Sequence, residues 1–260
     1  MKPIIVGIDG SQAAIAAALW SVDEAVGRGR PLHLVAVIKQ THPSADDYAR
    51  DLSHAETSLK LAQSAIEAGA KPVEITTDIQ RGPAATVLIE ASRDAEMVCV
   101  GSVGIGRYAR ALLGSTAADL AEKAYCPVAV LRTDIEQPPV NWIIVRMTHD
   151  NDAVVEYAAW EAKLRKAPLL ALGGRPEELS EHTDGEFEER VHAWQQINPE
   201  VRVYPITTQS GIGKFLSAND ERVQLAVIGS DEADQLTQLV GPSGHALFAH
   251  PHCSVLVVRG

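Results

Sequence analysis

The residues best suited to chemistry in this chain are glycines that follow a short β-branched run and precede a helix. They are Gly101, Gly104 and Gly114, and Ser115 and Thr116 come directly after the last of them. A glycine has no Cβ, so its backbone can approach a ligand closely, and the N–H groups at a helix start attract an anion. The pattern predicts a phosphate-binding loop. A β–α turn without a ligand is the alternative interpretation.

Two common phosphate-binding loops do not match this stretch. A Walker A loop needs a Lys, and none stands between Gly101 and Thr116. A dinucleotide fingerprint opens its helix directly, whereas Gly104-Ile-Gly106 is followed by Arg-Tyr-Ala. The stretch does match the spacing G-x2-G-x9-G-[ST]. Arg107 and Arg110 lie inside it, and they would either neutralise phosphate charge or be solvated surface cations.

Alternating strand and helix patterns in the first half of the chain would position this loop. Short apolar runs predict buried parallel strands, and longer stretches with helical periodicity predict helices. The predicted strands are Ile4–Ile8, Leu32–Ile38, Val73–Asp78, Met97–Val100 and Val128–Leu131, and the predicted helices are Ala13–Val26, Asp46–Ala68, Gly82–Ser92 and Thr116–Ala124. This order predicts an α/β fold, an open five-stranded parallel sheet with helices on both faces.

A carboxylate stands at the predicted binding edge of this sheet. Ligands of such sheets bind outside the carboxyl ends of the strands, where the strand order reverses. Asp9 ends the first strand and Gly101 ends the fourth. We therefore expect a carboxylate at one end of a cleft and a phosphate-sized concavity at the other. A helix cap or a turn is the alternative role for Asp9. A response-regulator receiver domain has a similar sheet order, but it needs a pair of acids after the first strand, where Asp9 stands alone.

A second copy of the same pattern fills the rest of the chain. The segment I-I-V-G-I-D-G-S at 4–11 is echoed by I-I-V-R-M-T-H-D at 143–150, and Cys253 stands 127 residues after Cys126. A polar, Pro-containing stretch separates the copies, as is common between domains. The sequence predicts two tandem domains, 1–134 and 141–260.

The first half resembles a universal stress protein domain over its whole length. The motifs that carry the resemblance are I-I-V-G-I-D-G-S at the start, R-G-P-A near residue 82, V-G-S-V-G with L-L-G-S-T in the middle and C-P-V-A-V at the end. The whole chain resembles the tandem type of mycobacteria and other actinobacteria. The resemblance implies a Rossmann-like, adenine nucleotide α-hydrolase-like fold. It also implies an ATP-binding regulatory protein linked to stress, dormancy and growth control.

The same resemblance implies a set of binding residues. Asp9 would bind the adenine or ribose end, and the backbone around Gly7, Ile8 and Val37 would line the base pocket. The ribose and phosphates would be held by Gly101, Val103, Gly104, Gly114, Ser115 and Thr116. The ligand would be ATP, or ADP or AMP, with Mg²⁺ bridging the phosphates as an option. No metal site formed by protein side chains alone is expected.

The second copy departs from the pattern. Arg146 stands at the position of Gly7, Thr148 at that of Asp9, Gly174 at that of Val37 and Glu232 at that of Gly104. A carboxylate facing a polyphosphate repels it. Asp231 and Asp234 add like charge, and Asp150 and Asp152 lie beyond the strand end. The second domain is therefore expected to bind nucleotide weakly or not at all, and to be a structural or interaction partner.

No arrangement of residues for catalysis is evident. Ser102 and Ser115 have no His placed by a motif, and efficient hydrolysis of ATP needs a group that orients water. We expect no enzyme, or at most slow ATP hydrolysis. A slow ATPase or nucleotidyl-transfer enzyme and a nucleotide-independent interaction module remain alternatives. His245, His250, His252 and Cys253 are ligand types, but they would not share one helix face, and no metal is expected.

The net charge of −11 argues against nucleic acid and anionic membranes as partners. No apolar run is long enough to span a membrane, and the N-terminus does not read as a signal peptide. Three cysteines suit reduced thiols in the cytoplasm. Apolar edge strands invite pairing, so Val128–Leu131 and Ser254–Val258 are expected to pair the two domains within the chain. Two chains would then form a homodimer, and an unidentified protein would be the regulatory partner.

Overall fold

The structure of the protein is a computed structural model that describes residues 1–104, 113–132, 142–174, 183–208, 210–219, 223–240 and 253–259, with the backbone alone at 183–186. The chain divides into two compact units, Met1–Thr133 and Asp134–Gly260. Each unit contains five parallel strands with helices between them, which confirms the predicted α/β class. Among the described residues, no helix has the length and apolarity that a membrane crossing requires.

Unit 1 alternates strands and helices from its first element to its last. Its strands are β1 (Ile4–Gly7), β2 (Leu32–Ile38), β3 (Ile75–Arg81), β4 (Met97–Gly101) and β5 (Val128–Leu131), and its helices are α1 (Gln12–Arg28), α2 (Ala45–Ala68), α3 (Ala84–Ala91) and α4 (Ser115–Lys123). The strand order is β3-β2-β1-β4-β5. Ile4 of β1 pairs with Leu32 on one side and with Met97 on the other. The order therefore reverses at β1, between β2 and β4.

Unit 2 repeats this architecture. Its strands are β6 (Trp142–Arg146), β7 (Leu169–Gly173), β8 (Val203–Thr207), β9 (Val223–Gly229) and β10 (Ser254–Val258), and its helices are α5 (Asp152–Arg165), α6 (Thr183–Ile197), α7 (Ile212–Ala218) and α8 (Leu236–Val240). The strand order is β8-β7-β6-β9-β10. Ile143 of β6 pairs with both Leu169 and Leu225, as Ile4 does with its two neighbours in unit 1. Ile143 is therefore the structural equivalent of Ile4.

The sequence placed most elements of unit 1 within two residues, and β3 is the main exception. It was expected to start at Val73 and to end at Asp78, but it runs from Ile75 to Arg81. Its last residues pair with the end of β2, where Arg81 lies opposite Ile38. The local apolar run does not contain this information, because pairing with a neighbouring strand extends β3 through polar residues.

Helix α1 is fixed at both ends by its sequence and packs closely on β4. Ser11 caps its start, since the Ser11 hydroxyl accepts a hydrogen bond from the Ala14 N–H at 3.1 Å. Gly29 ends it in the left-handed conformation, with φ of 62°. A Cβ placed on Gly101, the last residue of β4, would lie 2.7 Å from the backbone carbon of Ala13. The first turn of α1 therefore packs against the end of β4 at a distance that only glycine permits.

The first helix of each unit carries the same buried ion pair. Glu24 of α1 and Glu161 of α5 are fully buried. Each pairs with the Arg four residues later, Arg28 and Arg165, at Nε to Oε2 distances of 3.0 and 2.9 Å. A carboxylate in such a place is stable only with a partner. The pair marks α1 and α5 as equivalent helices, which sequence motifs alone did not show.

We expect Gly101→Ala to lower the free energy of unfolding by about 1–3 kcal/mol. The added methyl would lie 2.7 Å from Ala13 and 2.9 Å from the Ala14 nitrogen, so α1 must shift. Urea unfolding followed by circular dichroism measures the effect. Gly114→Ala is the matched control, because its methyl would lie 3.5 Å from the nearest atom, the Ser102 carbonyl oxygen. Equal stability of the two variants would contradict the close packing of α1 on β4.

Candidate functional site

A cavity of about 480 Å³ opens at the carboxyl ends of β1 and β4 in unit 1. It lies at the point where the strand order reverses, which is the usual binding place in open parallel sheets. All ten residues that the sequence nominated line this one cavity: Gly7, Ile8, Asp9, Val37, Gly101, Val103, Gly104, Gly114, Ser115 and Thr116. The fold therefore brings the nominated set together, and its role in binding nucleotide stays a prediction.

One side of the cavity is apolar, and we call it the apolar half. It is lined by Val35 and Val37 from β2, and by Ala84 and Leu88 from α3. A Cβ on Gly7 would meet Leu88 and Val100 at 3.1 Å each, so these side chains close tightly over the backbone of β1. The result is a narrow apolar slot, which suits a flat ring with little hydrogen-bonding demand on its faces.

The other side of the cavity is the start of α4, and we call it the helix-start half. Gly114 is the N-cap residue, and no side chain caps the helix there. Ser115 and Thr116 form the first turn and line the cavity. The Gly114 N–H donates to the Ser102 carbonyl at 2.8 Å, which ties the end of the loop to its beginning. The first-turn N–H groups and the helix dipole together make a site for an anion.

Asp9 lies against the glycine loop, and this corrects the expectation of a carboxylate at the far end of the cleft. One carboxylate oxygen accepts a hydrogen bond from the Ser11 N–H at 2.9 Å. The other would be 2.6 Å from a Cβ placed on Gly104. The reason is topological, since β1 and β4 are adjacent and their ends are one strand spacing apart. A side chain at residue 104 would therefore displace the Asp9 carboxylate from this position.

Among the described residues that line this cavity, Asp9 is the one ionisable side chain. Ser11, Ser115 and Thr116 supply hydroxyls. A carboxylate and hydroxyl oxygens are ligand types that Mg²⁺ accepts. No cluster of three or more His, Cys, Asp or Glu side chains suited to a metal occurs in the described parts of the chain. A cation here would therefore need oxygens from a bound ligand as well.

The sequence alone did not identify the residues of α2 that pack against the loop containing Asp9 and Gly10. Gly10 has φ of 85°, a conformation that favours glycine. A Cβ on Gly10 would lie 2.6 Å from the Ser58 hydroxyl and 3.1 Å from the His54 ring. Both residues belong to α2, and Ser58 is buried. Only the packing of α2 on the β1–α1 loop reveals this support.

The equivalent cleft of unit 2 has a different lining. A cavity of about 760 Å³ includes Arg146, Thr148 and Glu232 at the positions of Gly7, Asp9 and Gly104. The Thr148 hydroxyl donates to Asp150 at 2.7 Å, and the Thr148 N–H donates to the Asn151 side chain at 2.9 Å. The strand end is therefore held by local polar contacts rather than presenting a carboxylate to the cleft.

Carboxylates occupy the loop side of the second cleft. Asp231 packs over Gly229, where a Cβ would collide with its carboxylate. Burial raises the pKa of the Glu232 carboxyl above its ordinary value; the Arg146 charge opposes this shift and the Asp231 charge adds to it. A further anion at this place would meet two carboxyl groups. The loop side that is suited to an anion in unit 1 is thus unsuited to one in unit 2.

Several residues nominated from the sequence lie outside the described residues. They are Arg107 and Arg110 of the glycine loop, and His245, His250 and His252 of the second loop. Cys253 is described, and its buried thiol donates to the Leu239 carbonyl at 3.6 Å.

Comparison with known proteins places this geometry in a family. A model of the universal stress protein family matches residues 1–132. Universal stress protein Rv2624c of Mycobacterium tuberculosis (strain ATCC 25618 / H37Rv) is 70% identical over 263 residues, which cover 100% of this chain and 97% of that protein. Universal stress protein Rv3134c of the same strain is 36% identical over 269 residues, which cover 99% of this chain and 96% of that protein.

The fold comparison extends over both units. The crystal structure of a universal stress protein from Archaeoglobus fulgidus DSM 4304 matches with a TM-score of 0.72 at 17% identity, covering 99% of this chain and 96% of that one. At this identity the match shows a common fold. The family model and the sequence relatives, which match over nearly their full length, show that the chain is a tandem protein and belongs to the universal stress protein family.

Proposed function

We propose that unit 1 binds one adenine nucleotide, ATP or its products ADP and AMP, and that the protein acts as a nucleotide-dependent regulator of stress response, dormancy or growth. The observation that carries the proposal is the single cavity that joins an apolar slot, a carboxylate and a helix start. These three features match the three parts of a nucleotide. They meet within one unit, at the point where the strand order reverses.

Each part of the cavity suits one part of the ligand. The apolar half would take the purine, whose faces gain from contact with Val35, Val37 and Leu88. Asp9 would accept hydrogen bonds from ribose hydroxyls, because its carboxylate lines the cavity beside Gly104. The helix-start half would hold the phosphates through backbone N–H groups at Ser115 and Thr116. Mg²⁺, when bound, would neutralise phosphate charge near Asp9 and these hydroxyls.

A regulatory role fits this cavity better than an enzymatic one. Among its described lining residues, Asp9 is the one candidate for a general acid or base, and the Ser11 N–H already engages one of its oxygens. Phosphoryl transfer needs a group that orients the attacking water and strong compensation of charge. Binding would then change the surface of the unit through the loop that Gly114 closes, and a partner protein would recognise that change.

We propose that unit 2 takes no nucleotide, so that each chain binds one. Asp231 and Glu232 line the side where phosphates would lie, and Thr148 replaces the acid. Unit 2 would then serve assembly and protein contacts. The apolar strands β5 and β10 are the proposed means by which the two domains pair, with two chains forming a dimer.

The first prediction concerns binding. We expect isothermal titration of wild-type protein with MgATP to give one site per chain. Gly114→Ala should weaken binding by about tenfold or more, because its methyl enters the helix-start half. Its folding should be normal, since the nearest atom is 3.5 Å away. Gly69→Ala, at the end of α2, is the matched control and should bind as wild type does. Unchanged affinity in Gly114→Ala would refute the proposed phosphate site.

The second prediction concerns hydrolysis. We expect phosphate release from MgATP to stay near the rate of a heat-denatured sample, and Asp9→Ala to weaken binding of ATP. Radioactive phosphate release over hours measures the rate. Steady release far above that background, abolished by Asp9→Ala, would favour the slow ATPase or nucleotidyl-transfer alternative. No binding of ATP, ADP or AMP by a folded sample would favour the nucleotide-independent interaction module.

The third prediction concerns assembly. We expect light scattering at micromolar protein to give twice the chain mass of 27.9 kDa. The mass should be the same with and without MgATP if the contact between the two chains does not include the cleft. A mass of one chain at this concentration would remove the homodimer from the proposal and leave the binding prediction untouched.

A further inference from the structure

A buried arginine crosses the second cleft and bonds to its far wall. Arg146 ends β6 and is 7% exposed. One terminal nitrogen donates to the Gly174 carbonyl at 2.8 Å and the other donates to the Ser210 carbonyl at 2.5 Å. The guanidinium therefore joins three places that are distant in sequence: the end of β6, the exit of β7 and the residue before the α7 cap.

These contacts fall where unit 1 has its apolar half. Arg146 pairs with Leu172 as Gly7 pairs with Val35, so Arg146 and Gly7 are equivalent. Gly174 then corresponds to Val37, and Ser210 precedes α7 as Gly82 precedes α3. The guanidinium thus spans the second cleft between the equivalents of Val37 and Gly82. In unit 1 the same region is bounded by β1, β2 and α3 and is part of the cavity.

Unit 2 has apolar residues at the equivalents of three wall positions of the apolar half. Ile212 and Leu216 of α7 replace Ala84 and Leu88, Leu172 replaces Val35, and all three are buried. A charged side chain placed among such walls is costly unless its donors are satisfied. The two carbonyls satisfy the outer edge of the guanidinium. Its Nε has no hydrogen-bond partner among the described residues and faces the Glu232 carboxylate at 3.8 Å.

We propose that the Arg146 side chain is a built-in ligand of the second cleft, occupying the region that unit 1 keeps open and holding unit 2 together in place of a bound molecule. The site that it fills is selective for a guanidinium. Two carbonyls and one carboxylate surround a flat cation, and an ammonium cannot reach two carbonyls with parallel donors. Removing the side chain should leave a site for a small guanidinium compound. The bonding of Arg146 is independent of whether unit 1 binds nucleotide.

Chemical rescue tests this proposal. We expect Arg146→Gly, which restores the residue of unit 1, to unfold on the order of 10 °C below wild type, because three elements lose their common partner. Methylguanidinium chloride, far below denaturing concentrations, should raise the unfolding temperature of this variant in a saturable way. Methylammonium chloride at equal ionic strength should not. Neither salt should raise that of wild type, and the assay contains no nucleotide.

Two further variants distinguish loss of the two guanidinium hydrogen bonds, which we call the fork, from loss of the positive charge. Lys214→Met removes a positive charge that lines the same cleft but is exposed, so it should leave the unfolding temperature within about 2 °C of wild type. Arg146→Lys keeps the charge and loses the fork, and its unfolding temperature should lie below that of wild type. This variant also tests the proposal if Arg146→Gly does not fold. Equal stability of Arg146→Lys and wild type, or equal rescue by both salts, would overturn the proposal.

Discussion

Close backbone approach at the end of β4 is the constraint on which the first cleft depends. Gly101 lets the first turn of α1 lie against the strand, and Ser11, which caps α1, lines the cavity. The Ser11 N–H donates to Asp9, and the other carboxylate oxygen of Asp9 packs beside Gly104. These contacts connect Gly101 to Gly104 through the start of α1 and Asp9. Gly101 is therefore a packing residue as well as part of the cavity lining.

The two units show how one fold can carry opposite electrostatics at the same edge. Among the described residues of unit 1, a helix start without a side-chain cap and one carboxylate, that of Asp9, line the cavity, so backbone N–H groups there can face an anion. In unit 2 the equivalent edge carries Asp231 and Glu232, and the raised pKa of Glu232 reflects its burial beside a like charge. The sheets are alike, so the difference lies in side chains at strand ends. Function in this family therefore has to be read from those positions and not from the fold.

The sequence was sufficient for the α/β class, the repeat and the residues that meet in the first cleft. Strand-end positions are predictable because parallel topology brings them to one edge. The sequence did not predict the direction of the Asp9 carboxylate, the contact of Ser58 with Gly10 or the presence of Leu88 in the cavity lining. Each of these depends on how a helix packs on the sheet, and periodicity shows which face of a helix is apolar without showing what that face meets.

Arg146 illustrates the remaining gap between sequence and structure. The sequence shows only that Arg146 stands at the position of Gly7. The structure shows that its buried guanidinium donates to two backbone carbonyls, and sequence motifs do not reveal backbone acceptors. Backbone acceptors depend on chain path alone, so a side chain can come to satisfy them without any matching change elsewhere in the sequence. The substitution of one residue can thus fill part of a duplicated cleft, while the apolar residues at the neighbouring equivalent positions, Leu172, Ile212 and Leu216, stay buried.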